Sequence, residues 1–209
     1  MSVTLTDDGS KTLYSEKFGE HYHSLFGAAS ESNHVFIKSG YLSSTTDPVS
    51  VLEIGFGTGL NALLTLQQAV GLQRKTYYEA IELYPIQENT VCELSNDAVF
   101  RNLHTALWEQ PVEITPGFVL HKRKSNLLQC TFTRKYDVVY FDAFSPAVQP
   151  EMWSRDIFAI LYEAMNPNAI LTTYCAKGEV RRTMQSAGFI MERLPGATGK
   201  REMLRAKKM

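Results

Sequence analysis

One segment constrains the fold more than any other, a mostly apolar run that ends in three closely spaced glycines. The run from Val49 to Ile54 predicts a buried strand, and Gly55 to Gly59 predicts a turn. Leu60 to Val70 follows with apolar residues at helical spacing. A strand, a glycine turn and a helix in this order are typical of the first unit of an open α/β sheet, whose ligands bind at the carboxyl ends of the strands.

Segments typical of strands and helices alternate through the rest of the chain. The further predicted strands are Thr76–Glu82, Val112–Thr115, Phe118–Lys122, Val138–Phe141, Ala169–Tyr174 and a closing antiparallel pair, Phe189–Leu194 and Glu202–Ala206. Further helices are predicted to begin at Pro85 and to cover Glu151–Met165 and Glu179–Ala187, the last ending at Gly188. This alternation predicts a Rossmann-like α/β fold, a mostly parallel sheet with helices on both faces.

Two regions differ in their sequence pattern. Residues 1–47 carry many aromatic residues and histidines with weak periodicity, so we expect an N-terminal cap that packs on the domain. Residues 48–209 carry the alternation and form the predicted Rossmann-like domain.

Composition excludes several classes of protein. The formal net charge is -1, so bulk charge gives no support to a nucleic-acid partner. No apolar run approaches the roughly 20 residues that span a bilayer, and the N-terminus lacks the pattern of a signal peptide. The 3 cysteines are far apart and the 5 histidines have no paired Cys or Glu ligands. We therefore expect a cytoplasmic protein with reduced thiols, no metal and no membrane partner.

The glycine turn and two acidic residues indicate the cofactor. Gly55, Gly57 and Gly59 have G-x-G-x-G spacing, whereas dinucleotide-binding turns have G-x-G-x-x-G. Glu53, two residues earlier, would repel a pyrophosphate but suits S-adenosylmethionine, which carries a sulfonium and an ammonium group. Glu82 ends the second strand, where a carboxylate can accept both ribose hydroxyls. The alternative is a glycine turn of an NAD enzyme or of a Rossmann domain that binds nothing.

A second acidic strand end indicates the reaction. Asp142 follows the fourth predicted parallel strand and begins a D-x-F-x-P run with Phe144 and Pro146. This run resembles the D/N-P-P-Y/F motif of methyltransferases that act on amino nitrogens, in which an aromatic ring packs against the amine. A protonated amine has no lone pair, so a nearby carboxylate that takes the proton assists the attack. The other interpretation of Asp142 is a helix N-cap or a structural acid.

Several segments together resemble the methyltransferase domain of the MnmC family of tRNA-modification proteins. The matching segments are Val51–Asn61, Phe141–Pro146, Pro150–Trp153, Leu171–Tyr174, Val180–Arg182, Ala187–Phe189 and Gly199–Met203. The resemblance implies a class I methyltransferase whose cofactor-binding residues are Glu53, Gly55, Gly57, Gly59, Asn61, Glu82 and Asp142, with Asp142 and Phe144 as catalytic residues.

The resemblance also implies a substrate. The family methylates the amine of a 5-aminomethyl (often 2-thio) uridine at the tRNA wobble position. Its bifunctional members also carry an oxidase, which this sequence does not contain, so we expect other enzymes to install the aminomethyl group. Methyltransferases of this class often hold the adenine amine with an acidic residue, but the stretch His121–Asn126 has none. A backbone carbonyl or Asn126 is expected to replace it.

Local basic clusters offer contacts to RNA despite the neutral net charge. They lie at His121–Lys124, at Lys200–Lys208 and at Arg181 and Arg182. The residues predicted to contact tRNA are Lys200 and Arg201, in a loop expected to be mobile, together with Arg181, Arg182 and Tyr174, a candidate for base stacking. Two other functions remain open, a small-molecule amine methyltransferase with a closed cavity and a non-catalytic cofactor-binding subunit with a filled pocket at Asp142.

Overall fold

A computed structural model describes residues 1–209 as two sheets and six α-helices. The strands are β1 (Ser2–Leu5), β2 (Lys11–Ser15), β3 (Glu20–His21), β4 (Val49–Ile54), β5 (Thr76–Glu82), β6 (Pro111–Thr115), β7 (Phe118–Lys124), β8 (Tyr136–Phe141), β9 (Met165–Thr173), β10 (Ile190–Pro195) and β11 (Glu202–Lys207). The helices are α1 (Ala28–Ser32), which continues as a π-helix over Asn33–Lys38, α2 (Leu60–Leu72), α3 (Glu88–Leu94), α4 (Ala98–Thr105), α5 (Arg155–Ala164) and α6 (Gly178–Ser186). Single 3₁₀ turns cover Tyr41–Ser43, Leu127–Gln129 and Pro150–Trp153.

The main sheet has the strand order β10-β11-β9-β8-β4-β5-β7-β6. Strands β9, β8, β4, β5 and β7 are parallel, and antiparallel pairs close both edges. This confirms the mostly parallel α/β sheet expected from the sequence, including its closing antiparallel pair. The chain places β5 on one side of β4 and β8 on the other, so β4 lies at the reversal of strand order, where open sheets bind ligands.

Strand register brings the predicted functional positions together. Ile54 of β4 pairs with Ile81 of β5 and with Phe141 of β8. The residues that follow these three positions, Gly55, Glu82 and Asp142, therefore emerge next to one another at one edge of the sheet.

Helices cover the sheet on both faces, which explains the apolar strands. Leu52 and Val51 are neighbours in β4, yet they belong to different buried clusters because successive side chains point to opposite faces. Leu52 packs in a cluster with Phe158 of α5, and Val51 packs in one with Leu66 of α2. A full apolar side chain buried in such a cluster contributes about 1.5–3 kcal/mol.

The first residues form a separate three-stranded sheet of order β1-β2-β3, which the weak periodicity of this region did not predict. Leu13 of β2 is fully buried and packs in a cluster with Val91 and Leu94 of α3 and Phe100 of α4. These contacts hold the small sheet against the helices that follow β5.

Two helix starts differ from the sequence prediction. The helix expected from Pro85 begins at Glu88, because Gln87 has β-region dihedral angles and residues 85–87 form no regular structure. The helix expected from Glu151 is interrupted: a 3₁₀ turn ends at Trp153, and Ser154 caps α5 by accepting from the Ile157 amide at 3.4 Å. Strand β9 begins at Met165, so residues 165–168, which we expected to end this helix and form a loop, belong to the strand. None of the helices combines the length and the apolar character needed to cross a membrane.

Candidate active site

The glycine turn brings the ends of β4 and β8 into direct backbone contact. Gly55 has a φ of 90°, in the region that favours glycine. A Cβ atom there would lie 2.7 Å from the carbonyl oxygen of Asp142, which is closer than atoms can approach. Glycine at position 55 therefore lets the two strand ends, and the Asp142 side chain with them, sit side by side.

A cleft of about 280 Å³ opens at these strand ends, near the lower end of the roughly 300–1,000 Å³ of small-molecule sites. Its wall combines residues that follow all five parallel strands with residues of the N-terminal region. The polar and aromatic side chains of the wall that matter here are Phe18, Glu20, Tyr22, His23, Glu31, Asn61, Glu82, Asn126, Asp142, Phe144, Tyr174 and Lys200. Gly55 and Gly57 also line the cleft, whereas Gly59 does not.

The carboxylate of Glu82 is held in place by the backbone. One oxygen accepts from the Gly57 amide at 3.1 Å and the other accepts from the Tyr84 amide at 2.7 Å. Each carboxylate oxygen keeps a free lone pair after accepting one hydrogen bond. Glu82 is thus preset to accept two further hydrogen bonds, which is what the paired hydroxyls of a ribose donate.

Asn61, at the start of α2, bridges two carboxyl groups. Its Nδ2 donates to Glu53 Oε1 at 2.9 Å and to Asp142 Oδ2 at 2.8 Å. The second Glu53 oxygen and Asn61 Oδ1 are buried without any hydrogen-bond partner. Buried polar atoms without partners are rare in proteins. Asn61 Oδ1 lies at the cleft, where a bound ligand can satisfy it.

Glu53 lies behind Asn61, fully buried and outside the cleft wall. Burial raises the pKa of Glu53 well above its ordinary value, against the opposing effect of the Asn61 hydrogen bond. Within the chain, Glu53 is linked to the cleft through its hydrogen bond with Asn61. The direct contact with a cationic cofactor that we predicted for Glu53 stays a prediction.

Asp142 and Phe144 both line the cleft, as the D-x-F-x-P run predicts. Burial raises the pKa of Asp142 to about 7, a change that the Asn61 hydrogen bond opposes. A carboxyl group that titrates near neutral pH is suited to accept a proton there. The ring of Phe144 stacks on Phe18 with centroids 4.3 Å apart and meets Tyr22 edge-on at 5.0 Å.

The backbone carbonyls after Asp142 already have partners. Tyr174 Oη donates to the Ala143 carbonyl at 2.9 Å, and Trp153 Nε1 donates to the Phe144 carbonyl at 2.8 Å. In the amine-methylating motif that this run resembles, such carbonyls help to hold the amine. Here these hydrogen bonds fix the loop and leave the Asp142 carboxylate as its main acceptor facing the cleft.

The N-terminal region contributes residues to the site that the sequence did not single out. Glu20 of β3 accepts from the Ser145 amide at 3.1 Å and so ties the small sheet to the loop after Asp142. His23 Nε2 lies 2.7 Å from Thr58 Oγ1 in the glycine turn, and burial lowers the pKa of His23 to about 4. The density of aromatic residues and histidines before residue 48 was the only signal for this contribution, and no spacing motif accompanied it.

The residues predicted to contact RNA are divided between the cleft and the surface. Tyr174 lines the cleft, Arg182 and Arg201 are exposed, and Arg181 is partly buried. Lys200 also lines the cleft, with its ammonium 4.4 Å from the centre of the Tyr174 ring and paired with Glu31. The contact of Lys200 with RNA phosphates near the mouth of the active site stays a prediction.

The loop that carries Lys200, which we expected to be mobile, makes close contacts within the chain. A Cβ atom at Gly199 would lie 2.7 Å from the ring of Phe26, so the loop lies directly on the N-terminal region. The Lys200 amide donates to the Ala197 carbonyl at 2.8 Å and closes a turn.

The structure locates one of the two acceptors that we expected for the adenine amine. Asn126 lines the cleft, but its Oδ1 accepts from the Leu128 amide at 3.0 Å and caps the 3₁₀ turn that begins at Leu127. That oxygen keeps a second lone pair, so Asn126 and a backbone carbonyl both stay candidates for the acceptor of the adenine amine.

Fold and cleft together define a Rossmann-like S-adenosylmethionine-dependent methyltransferase. S-adenosylmethionine fits the residues present. Glu82 is preset for a ribose, the glycine turn leaves room beside bare backbone, and Asn61 presents an unsatisfied buried oxygen at the cleft. No group of three or more His, Cys, Asp or Glu side chains is placed to hold a metal ion.

Comparison with known proteins agrees with this class. The sequence profile of a family described as S-adenosyl-L-methionine-dependent methyltransferases matches residues 109–209. The bifunctional tRNA 5-methylaminomethyl-2-thiouridine biosynthesis protein MnmC of Burkholderia multivorans is 27% identical over 97% of this chain and 34% of its own length. The corresponding protein of Cupriavidus metallidurans is 31% identical over 95% of this chain and 32% of its own length.

A solved structure shows the same fold. The crystal structure of MNMC2 from Aquifex aeolicus superposes with a TM-score of 0.82 at 23% identity, covering 98% of this chain and 69% of that one. This chain is an S-adenosyl-L-methionine-dependent methyltransferase, and it is similar to MnmC proteins over nearly its whole length. It spans about a third of the length of the curated relatives it matches.

Proposed function

We propose that this chain methylates the amine of a 5-aminomethyluridine, often 2-thiolated, at the wobble position of tRNA. The observation that carries the proposal is the Asp142 carboxylate, which accepts from Asn61 and shares the cleft wall with the Phe144 ring. The MnmC relatives, which match more than nine-tenths of this chain, are named for 5-methylaminomethyl-2-thiouridine biosynthesis in tRNA and so supply the substrate class.

The cofactor supplies a methyl group on a positively charged sulfur. The lone pair of the neutral amine forms the new nitrogen–carbon bond while the methyl–sulfur bond breaks and its electron pair stays on sulfur. Asp142 takes the proton that the ammonium form of the substrate loses before this attack, and the methylated amine leaves as the protonated product. Asn61 orients the Asp142 carboxylate for this transfer, and the Phe144 ring gives the amine an apolar face to pack against.

The protonation state of Asp142 explains how a free amine can react near neutral pH. An alkyl amine such as that of lysine has a pKa of about 10.4 and is mostly protonated at pH 7. Because burial brings the pKa of Asp142 to about 7, the carboxyl is a stronger base than an ordinary aspartate. At physiological pH the group is still available as a carboxylate, and in that form it can take the proton of the substrate ammonium.

We also propose the biological setting. The aminomethyl group comes from other enzymes that modify the same uridine, because none of the chemistry at this cleft builds it. The activity is cytoplasmic, and the free thiols of Cys92, Cys130 and Cys175 suit a reducing compartment.

The proposal is tested with a defined RNA. The chain is incubated with S-adenosylmethionine and an anticodon stem-loop that carries 5-aminomethyluridine, and nucleosides are measured by mass spectrometry. We expect one added methyl group on that nucleoside and none on a stem-loop with plain uridine. Free small amines, polyamines and amino sugars form the second panel. Methylation of a free amine without methylation of the stem-loop would replace the tRNA substrate with a small molecule, and no methylation of any amine would overturn the proposal.

A further inference from the structure

A lysine and a glutamate from distant parts of the chain form an ion pair in the wall of the cleft. Lys200 lies in the loop between β10 and β11, and its ammonium donates to Oε1 of Glu31 in α1. The Glu31 side chain is 11% exposed and that of Lys200 is 32% exposed. The other Glu31 oxygen accepts from the Ser24 amide at 3.2 Å. The carboxylate is therefore fixed and nearly buried, while the ammonium still faces the cleft.

This pair is linked through Tyr174 to the loop that follows Asp142. The Lys200 ammonium lies over the ring of Tyr174, whose hydroxyl holds the carbonyl of Ala143, the residue after Asp142. The two charges act on Asp142 in opposite directions. Burial is the main cause of its raised pKa, Glu31 raises that pKa further, and Lys200 lowers it.

The remaining charges around the cleft are mostly acidic. Lys200 is the only lysine or arginine in the wall, against four carboxylates that come from different elements: Glu20 of β3, Glu31 of α1, Glu82 of β5 and Asp142 after β8. Glu53 of β4 lies behind Asn61, Tyr174 follows β9, and Cys175 follows Tyr174 close enough to interact with Lys200. His21, Tyr22 and His23 complete the titratable groups of the wall on the N-terminal side.

This balance matters for an amine substrate. A carboxylate near an amine favours the charged ammonium form, which cannot attack a methyl group, whereas a cation near the amine favours the neutral form. An unpaired Glu31 would add a second negative charge beside Asp142 and hold the substrate amine protonated. Lys200 cancels that charge and leaves one carboxylate to receive the proton.

We propose that Lys200 is a positioning residue, which neutralises Glu31 and so keeps both Asp142 and the substrate amine able to exchange a proton near neutral pH. This inference rests on the proposed function.

The test is the pH profile of single-turnover methyl transfer to the aminomethyluridine stem-loop in four chains: wild type, Lys200→Met, Glu31→Gln and the double variant. Removing Lys200 should move the acid limb of the profile to higher pH by about one unit, a tenfold lower rate at a pH on that limb. Removing Glu31 should move it to lower pH. The double variant should return close to the wild-type profile, which a merely structural role of the pair would not produce.

Two further measurements keep the test decisive. Carbon-13 NMR titration of Asp142 in the chain without RNA should show its pKa raised in Lys200→Met and lowered in Glu31→Gln. Lys207→Met serves as the matched control, because Lys207 pairs with Glu192 outside the cleft, and its profile should match wild type. Lys200→Gln removes the same charge with a different side chain if the methionine variant does not fold.

The possible failures are distinguishable. If the wild-type chain does not methylate the stem-loop, the proposed function fails, while the NMR titration still tests the charge balance. If the wild type is active but neither single variant shifts the profile or the Asp142 titration, the charge-balance proposal is wrong. A double variant that is as slow as the worse single variant and shows the same shift would also overturn it.

Discussion

Substituting Gly55 by alanine tests how the glycine turn positions Asp142. Two costs add at this position. A non-glycine residue with a positive φ such as the 90° of Gly55 costs about 1–2 kcal/mol. The new Cβ would also lie 2.7 Å from the Asp142 carbonyl oxygen, and relieving such overpacking through backbone shifts costs about 1–3 kcal/mol. We expect Gly55→Ala to lower the free energy of unfolding by about 2–5 kcal/mol.

Two other glycines separate these costs. Gly117 has a φ of 83° but only the Lys75 side chain, at 3.8 Å, near its Cβ position, so Gly117→Ala should show the backbone cost of about 1–2 kcal/mol alone. Gly71 lies in α2 with nothing within 4 Å, so Gly71→Ala should stabilise the chain by about 0.5–1 kcal/mol. Urea unfolding followed by circular dichroism measures all three variants. A Gly55→Ala variant that is no less stable than Gly117→Ala would refute the close contact between β4 and β8.

Further predictions concern the cofactor side of the cleft. Gly57→Val should weaken S-adenosylmethionine binding by more than tenfold in calorimetry, because the valine side chain would occupy the space beside the turn that the cofactor needs, and its Cβ alone would lie 3.0 Å from the Tyr22 ring. Asn61→Ala should raise the pKa of Asp142 above about 7, because a hydrogen bond that favours the carboxylate is lost; an unchanged NMR titration of Asp142 would contradict this. Binding of the cationic cofactor should lower the pKa of Asp142 and release protons between about pH 6 and 7. Calorimetry in two buffers of different ionisation enthalpy measures that release, and equal heats in both buffers would argue against it.

The sequence predicted the parts of the fold that local chemistry determines. The apolar strand, the glycines and the helix from Leu60 to Val70 form a contiguous pattern, and the structure matches it within two residues. The strand ends at Gly55, Glu82 and Asp142 were predicted for the same reason, because a glycine or an acidic residue at the end of an apolar run stands out in the sequence.

The rest depends on contacts between distant segments, which one sequence does not reveal. The small sheet β1-β2-β3 is stabilised by packing against α3 and α4, so its own strands carry little periodicity. Lys200 appears in the sequence as part of a basic cluster, but the structure pairs it with Glu31, 169 positions away. A basic residue next to other basic residues is an ordinary surface pattern, and only the fold shows that its ammonium faces the cleft.

Single-turnover methyl transfer by Asp142→Asn tests the central claim most directly. The change keeps the size of the side chain but removes the charge and the proton acceptor. We expect the rate at neutral pH on the aminomethyluridine stem-loop to fall by about 10² to 10⁴, the usual effect of losing a positioned general base, while cofactor affinity changes by less than a few-fold. A variant that binds the cofactor normally and still methylates the stem-loop at close to the wild-type rate would contradict the account.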